Sequence, residues 1–285
     1  MKNLITRAIT GIAFVAIMIV GLCYRGDVMV ALFALITGMT IWEFTGLVNT
    51  KEDINVNRFI TTAAGVYFFL AMAGFCSGLT PSAVFIPYLL TIVYLFISEL
   101  YLQKKNPLND WAYTMFSQMY IALPLSMINL LGFHANSYGT STYDWLLPMS
   151  IFAFLWINDT GAYCSGSLLG RHKLFPRVSP GKSWEGSIGG GLFVLAAAAA
   201  VGYLNHAYPM EHVAALTIPQ WMGLGLVVVV FGTWGDLVES LFKRTLGVKD
   251  SGNILPGHGG MLDRFDSSLM AMPAAVIYIY TLSLF

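Results

Sequence analysis

Long apolar stretches follow one another along the whole chain, separated by short polar breaks. They fall at about 4–24, 28–48, 59–79, 83–102, 115–133, 145–165, 186–204, 221–239 and 267–285. A bilayer core of roughly 30 Å needs about 20 apolar helical residues to cross it. The runs are continuous and not alternating, so they predict helices instead of the strands of a membrane barrel. The pattern therefore predicts an all-α, polytopic integral membrane protein with about nine transmembrane helices. The sixth and eighth runs stand out because each carries acids. The first run follows Lys2 and Arg7 with no small-residue cleavage site behind it, and is read as a retained helix, not a signal peptide.

Composition agrees with the pattern. The 285 residues are 56% hydrophobic and 11% charged, against about 25% charged in a typical soluble domain. The three cysteines, Cys23, Cys76 and Cys164, lie in or near apolar runs without metal-ligand spacing, which predicts buried thiols and no disulfide framework. Nothing basic or repetitive points to nucleic acid.

Net charge is zero, but its distribution sets a topology. With the N-terminus in the cytoplasm and nine crossings, fourteen of the fifteen Lys and Arg residues fall on the cytoplasmic side, and only Arg25 lies outside. Positive residues favour that side. The two richest loops, about 166–185 and 240–266, then share the compartment that holds nucleotides. This predicts a multi-pass protein of the cytoplasmic membrane with its chemistry facing inward. Residues 1–150 read as N-terminal membrane helices and 151–285 as a catalytic region with polar loops, within one integrated membrane domain.

The polar groups are concentrated. Residues 236–266 hold four Lys/Arg and five Asp/Glu. A plain anion-binding patch would be net positive. A mixture suits a cation held by acids and a phosphate held by bases. Asp159 and Asp236 lie within apolar runs, where an ionised group costs about 2.5–3.5 kcal/mol on insertion scales. Asp263 and Asp266 are three apart, on one face of a helix starting near Ser267. Carboxylates gathered this way repel unless a cation lies between them, and oxygen donors suit Mg²⁺. Glu43, near the end of its run, is read as structural, reaching the surface or a basic partner. Glu239 and Lys243 have the spacing of an i,i+4 pair.

The basic loop HKLFPRVSPGKSWEG contains Gly-Lys-Ser, but Pro176 stands where a phosphate-binding P-loop needs glycine. Lys182 and Ser183 remain candidates for binding phosphate, with Lys173 in the same loop. Gly186 and Gly190 have the spacing of close helix packing. His258, Gly259 and Gly260 make a loop through which backbone N–H groups could approach a phosphate.

The run Ser240, Lys243, Arg244, Lys249, Asp250, Gly252, Leu255, Pro256, His258, Gly259, Gly260, Asp263, Arg264 and Asp266 closely resembles the signature of the phosphatidate cytidylyltransferases, or CDP-diacylglycerol synthases. The segments NDTGAY, SPGKSWEG and GDLVES also look like elements of that family, and the likeness is strongest over about 155–270. The resemblance implies a polytopic helical fold, a homodimer, and transfer of CMP from CTP to phosphatidic acid with release of diphosphate. It implies Mg²⁺ dependence with Asp236, Asp263 and Asp266 as ligands and Asp159 as a further candidate. A second cation is compatible with two-metal chemistry. Lys243, Arg244, Lys249 and Arg264 would neutralise the phosphates, with Ser240 beside them. The competing readings are a CTP-dependent lipid kinase, which would release CDP, and a transporter, which would need polar sites open to both faces.

Overall fold

The computed structural model describes residues 2–102, 104–135, 141–208, 216–252, 254 and 259–282. Its helices are α1 (Lys2–Cys23), α2 (Gly26–Val48), α3 (Arg58–Cys76), α4 (Ile86–Leu102, entered through a 3₁₀ turn at Ser82–Phe85), α5 (Pro107–Ser117), α6 (Leu123–Ser126), α7 (Ile128–Gly132), α8 (Leu146–Leu169), α9 (Trp184–Ala207), α10 (Ile218–Leu246) and α11 (Leu262–Leu282). Two short antiparallel hairpins, β1 (Phe133–Ala135) with β2 (Ser141–Tyr143) and β3 (Lys173–Phe175) with β4 (Ser179–Ser183), join them. The apolar pattern did not foresee the hairpins.

Among the described residues, seven helical segments are long and apolar enough to cross a membrane: Gly26–Val48, Arg58–Cys76, Ser82–Leu102, Pro107–Gly132, Trp184–Ala207, Ile218–Leu246 and Leu262–Leu282. Ile9–Cys23 is a shorter apolar helix, and α8 stands outside the seven. The protein is thus an all-α, multi-pass membrane protein. The segment Ser82–Leu102 buries only 11% of its most apolar window and presents Leu89, Leu90, Val93 and Leu100 outward. Such a helix needs lipid, not water, around it.

The chain divides into two compact units, Met1–Tyr143 with Leu246–Phe265, and Asp144–Thr245 with Asp266–Phe285. In the first, α2 and α3 pack closely. Thr37, Thr40 and Thr45 each donate to the carbonyl four residues back at 2.7 Å, so these three hydroxyls are not stranded in an apolar interior. Asn57 caps α3 by accepting from Ile60 N at 3.1 Å. Asn106 caps α5 ahead of Pro107, which has no N–H to lose there. Between α5 and α6 the helix takes one π turn, Gln118–Ala122, and Gln118 Nε2 donates to Thr61 O at 3.0 Å. Pro124 follows at the start of α6, and a proline there removes a backbone donor and forces such an irregularity. Lys104 ties the polar end of this unit by reaching Glu99 at 2.7 Å and Asp110 at 3.3 Å. Phe265 is fully buried, edge-on to Phe14 at 6.0 Å and Phe33 at 6.1 Å.

In the second unit α8 and α9 pack along small residues. A Cβ added at Gly190 would lie 2.6 Å from Asn158 Oδ1, and one at Gly186 would lie 2.9 Å from Ala162 O. The Gly186/Gly190 spacing thus does what it predicted: it lets two backbones approach. One expectation changes. Cys164 is exposed and Cys23 and Cys76 are half-buried, so the thiols are not uniformly buried. Arg25, the single basic residue outside the charge pattern, is matched by Asp27 at 2.9 Å.

Candidate active site

The polar chemistry of the second unit gathers in a cavity of about 340 Å³ between α8, β4, the start of α9 and Thr233 of α10. From α8 come Asn158, Asp159, Tyr163 and Ser167, and from the β4–α9 junction come Lys182, Ser183 and Ser187. The junction is built by a cap: Ser183 Oγ accepts from Gly186 N at 3.1 Å and starts α9. The expected phosphate ligand Ser183 is therefore also the helix cap, and the N-terminus of α9, the positive end of its dipole, opens on the cavity. Lys173 is exposed and pairs across the hairpin with Ser183. Glu185, unremarked in the sequence, locks the preceding loop: it accepts from Arg171 N at 3.1 Å and from His172 N at 3.2 Å, and meets His172 Nδ1 at 2.6 Å. Asn158 Oδ1 is buried and has no hydrogen-bond partner among the described residues.

Lys182 Nζ meets Asp236 Oδ2 at 2.5 Å, and Ser240, one turn along α10, donates to Asp236 Oδ1 at 3.2 Å. Lys243 Nζ pairs with the fully buried Glu239 at 2.6 Å, the i,i+4 contact that its spacing predicts. Asp266 accepts from Ser267 N at 2.5 Å. Asp236 is its strongest repulsive neighbour and Asp159 a weaker one, while Lys243 attracts it. Gly235 makes this convergence possible, because a Cβ there would lie 2.7 Å from Asp266 O. At that point α10 and α11 touch backbone to backbone, which sets Asp236 and Asp266 side by side. The structure thus draws Asp159, Lys182, Asp236, Ser240, Lys243 and Asp266 into one electrostatic neighbourhood.

Among the described residues, no three His, Cys, Asp or Glu side chains stand as a closed metal cage. The charge beside Asp236 is the Lys182 ammonium. The donor set still fits Mg²⁺ in kind. It consists of hard carboxylate oxygens from neighbouring helices, held close despite mutual repulsion.

The other expected residues belong to the first unit. Asp263 Oδ2 accepts from Ser251 N at 2.9 Å and from Gly260 N at 2.8 Å. Gly259 has φ +81°, a conformation that suits glycine. Lys249 and Arg264 are exposed, as is Arg244 at the end of α10 in the second unit. His258, Leu255 and Pro256 lie outside the described residues. Glu43 is buried and bonds to neutral donors of this segment, not to the surface or a basic partner as its position suggests.

Beside the polar cavity in the second unit runs an apolar groove of about 460 Å³. Its walls are Phe175, Trp184, Ile188, Leu192, Leu226, Val230 and Trp234, among others, and it shares Ser187 and Thr233 with the cavity. Trp184, Ile188, Leu192 and Trp234 are all more than half exposed.

Helices of membrane-spanning length, with a polar cavity lined by Lys182 and Asp159 and flanked by an apolar groove, point to a class: multi-pass membrane enzymes. Comparison with known proteins narrows it. The sequence profile of the cytidylyltransferase family matches residues 5–282. The chain is 34% identical over 260 residues to the phosphatidate cytidylyltransferase of Haemophilus influenzae, spanning 85% of this chain and 87% of that protein. It is 34% identical over 252 residues to the phosphatidate cytidylyltransferase of Staphylococcus haemolyticus, spanning 84% and 89%. Against the phosphatidate cytidylyltransferase of Staphylococcus aureus (strain COL), identity is 48% over 127 residues, 43% of this chain and 45% of that one. The chain belongs to the cytidylyltransferase family, a family of nucleotidyltransferases.

Proposed function

We propose that the protein transfers CMP from CTP to phosphatidic acid, giving CDP-diacylglycerol and diphosphate, at the cytoplasmic face of the inner membrane. One observation carries this reading: a polar cavity containing Lys182 and Asp159 adjoins an apolar groove through the shared residues Ser187 and Thr233. A diacyl phosphate has this division of character, and its acyl chains are assigned to the groove. The names and coverage of the relatives support the substrates.

An oxygen of the lipid phosphate attacks the α-phosphorus of CTP. The new P–O bond forms as the bond to the bridging oxygen breaks, and diphosphate leaves with that electron pair. A phosphate monoester is largely dianionic near pH 7, since its second pKa is about 6, so no strong general base is needed. The barrier is repulsion between two polyanions. Lys182 and the N-terminus of α9 lower it from one side of the cavity, and Lys243 adds positive charge near Asp266. Lys173, Arg244, Lys249, Arg264, His258, Gly259 and Gly260 are proposed contacts for the triphosphate and departing diphosphate. Asp236 and Asp266, with Asp159 and Asp263 as further donors, are proposed to hold Mg²⁺, which when bound would supply charge neutralisation to the reacting phosphates. A second cation, a homodimer, a cytoplasmic N-terminus and membrane crossings by α1 and α8 belong to the same proposal; the asymmetry of basic residues supports the orientation.

The test is to incubate purified protein with CTP, phosphatidic acid and Mg²⁺. A lipid heavier by CMP, with one diphosphate per lipid, is expected. Release of CDP with a phosphorylated lipid would turn the reading to a kinase. No nucleotide consumption would refute both.

A further inference from the structure

Glu43 sits near the C-terminal end of α2, and the residue is 8% exposed. Ser251 Oγ makes a short hydrogen bond to it, Met261 N donates at 2.8 Å and Leu262 N at 3.2 Å. These donors lie more than 200 residues away in sequence, and all are uncharged. Met261 and Leu262 are the residues at which α11 begins, so the carboxylate satisfies N–H groups that a helix start leaves without an intrahelical partner. An acid commonly does this from within its own helix terminus. Here it arrives from another helix.

The fit leaves little room. A Cβ at Gly252 would lie 2.7 Å from Glu43 Oε2, and one at Gly260 would overlap the carboxylate. Ser251 and Gly260 are also the two residues whose backbone N–H groups bond to Asp263 Oδ2. Two acids therefore clasp the same two points of the chain, Glu43 from α2 and Asp263 from the first turn of α11. Phe265 fixes that turn from its other side, between Phe14 and Phe33.

We infer that Glu43 is a positioning residue for catalysis: its buried carboxylate sets the register of the first turn of α11 and thereby the direction of Asp263, a proposed metal donor. The inference rests on the proposed cytidylyltransferase reaction for its catalytic consequence, and on geometry alone for its structural one. The side chain touches no substrate. Its removal should therefore lower kcat and leave KM for phosphatidic acid nearly unchanged.

The experiment compares purified wild type with Glu43→Gln, which keeps the side chain's size but turns an amide N–H toward existing donors. Two readouts are taken: hydrogen exchange of the amides at 259–262, and steady-state kinetics with CTP and phosphatidic acid. Exchange at least tenfold faster together with a kcat at least tenfold lower, at unchanged KM for lipid, is the expected result. Faster exchange with normal kcat would overturn the inference by making Glu43 merely structural. Lower kcat with unaltered exchange would overturn it by removing the helix start as the route. If Glu43→Gln does not fold, Ser251→Ala removes one donor only, and should move both readouts the same way by a few-fold; no change in either would overturn the inference. Wild type without nucleotidyl transfer would refute the proposed function instead, and the exchange readout would still judge the clasp.

Discussion

The carboxylate of Glu43 is held by a hydroxyl and two backbone N–H groups, whereas that of Asp236 is held by the Lys182 ammonium at 2.5 Å and the Ser240 hydroxyl at 3.2 Å. Both acids come from helices of membrane-spanning length. Backbone donors are fixed in place and neutral, so an acid satisfied by them has nothing to exchange. An ammonium on a flexible stem can swing toward a phosphate and leave its acid to a cation. Under the proposed reaction, the comparison separates acids that build the frame from acids that would serve the chemistry, and it does so by partner type instead of depth in the membrane.

The strongest way to break this contrast is Asp266→Asn. Loss of one electrostatic group at a reacting centre costs about 10²–10³ in kcat, and turnover should fall by about that factor. The melting temperature in detergent should stay level or rise, because repulsion from Asp236 and Asp159 is relieved. Activity within threefold of wild type would return Asp266 to the frame. Glu43→Ala should differ by losing stability as well as turnover, where Asp266→Asn loses turnover alone. An abandoned buried donor costs about 1–3 kcal/mol, so the loss should be about 3 kcal/mol, read by thermal or denaturant unfolding in detergent. An unchanged midpoint would dissolve the distinction from the other side. Lys182→Ala should raise the CTP concentration needed for half-maximal rate about tenfold, or about 1.4 kcal/mol; a superimposable CTP titration would confine Lys182 to a topological role. The smallest effect is expected at the groove. Ile188→Trp should shift the preference between long- and short-chain phosphatidic acid by a few-fold, since small differences in apolar contact discriminate only weakly. A chain-length preference unchanged from that of the wild type would separate the groove from the substrate.

The membrane helices were legible because hydropathy is a local property. Each described helix from α1 to α11 overlies or adjoins an apolar run, but the irregular stretch from α5 to α7 lies within what reads as one continuous run at about 115–133. The hairpin of β3 and β4 was not legible, since its residues read simply as a basic loop. Asp236, Lys243 and Asp266 could be named in advance because charged groups are rare in such a chain and their spacing is regular. The Lys182–Asp236 pair could not, because spacing does not reveal contacts between distant segments. Glu43 was misjudged for the same reason: its partners are backbone N–H groups, which every residue but proline carries and no sequence marks. Gly235 is a comparable case. Its neighbour Asp236 drew attention, yet the bare α-carbon is what allows two helices to meet.

Ser187 and Thr233 face a polar chamber on one side and an oily channel on the other. Under the proposed reaction, a wall two hydroxyl-bearing side chains thick is where water-soluble and bilayer-soluble reactants are joined. Neither reactant need leave its own solvent: the nucleotide stays hydrated and the fatty chains stay in oil. The spent diphosphate then departs to the aqueous side, while the activated lipid remains in the leaflet.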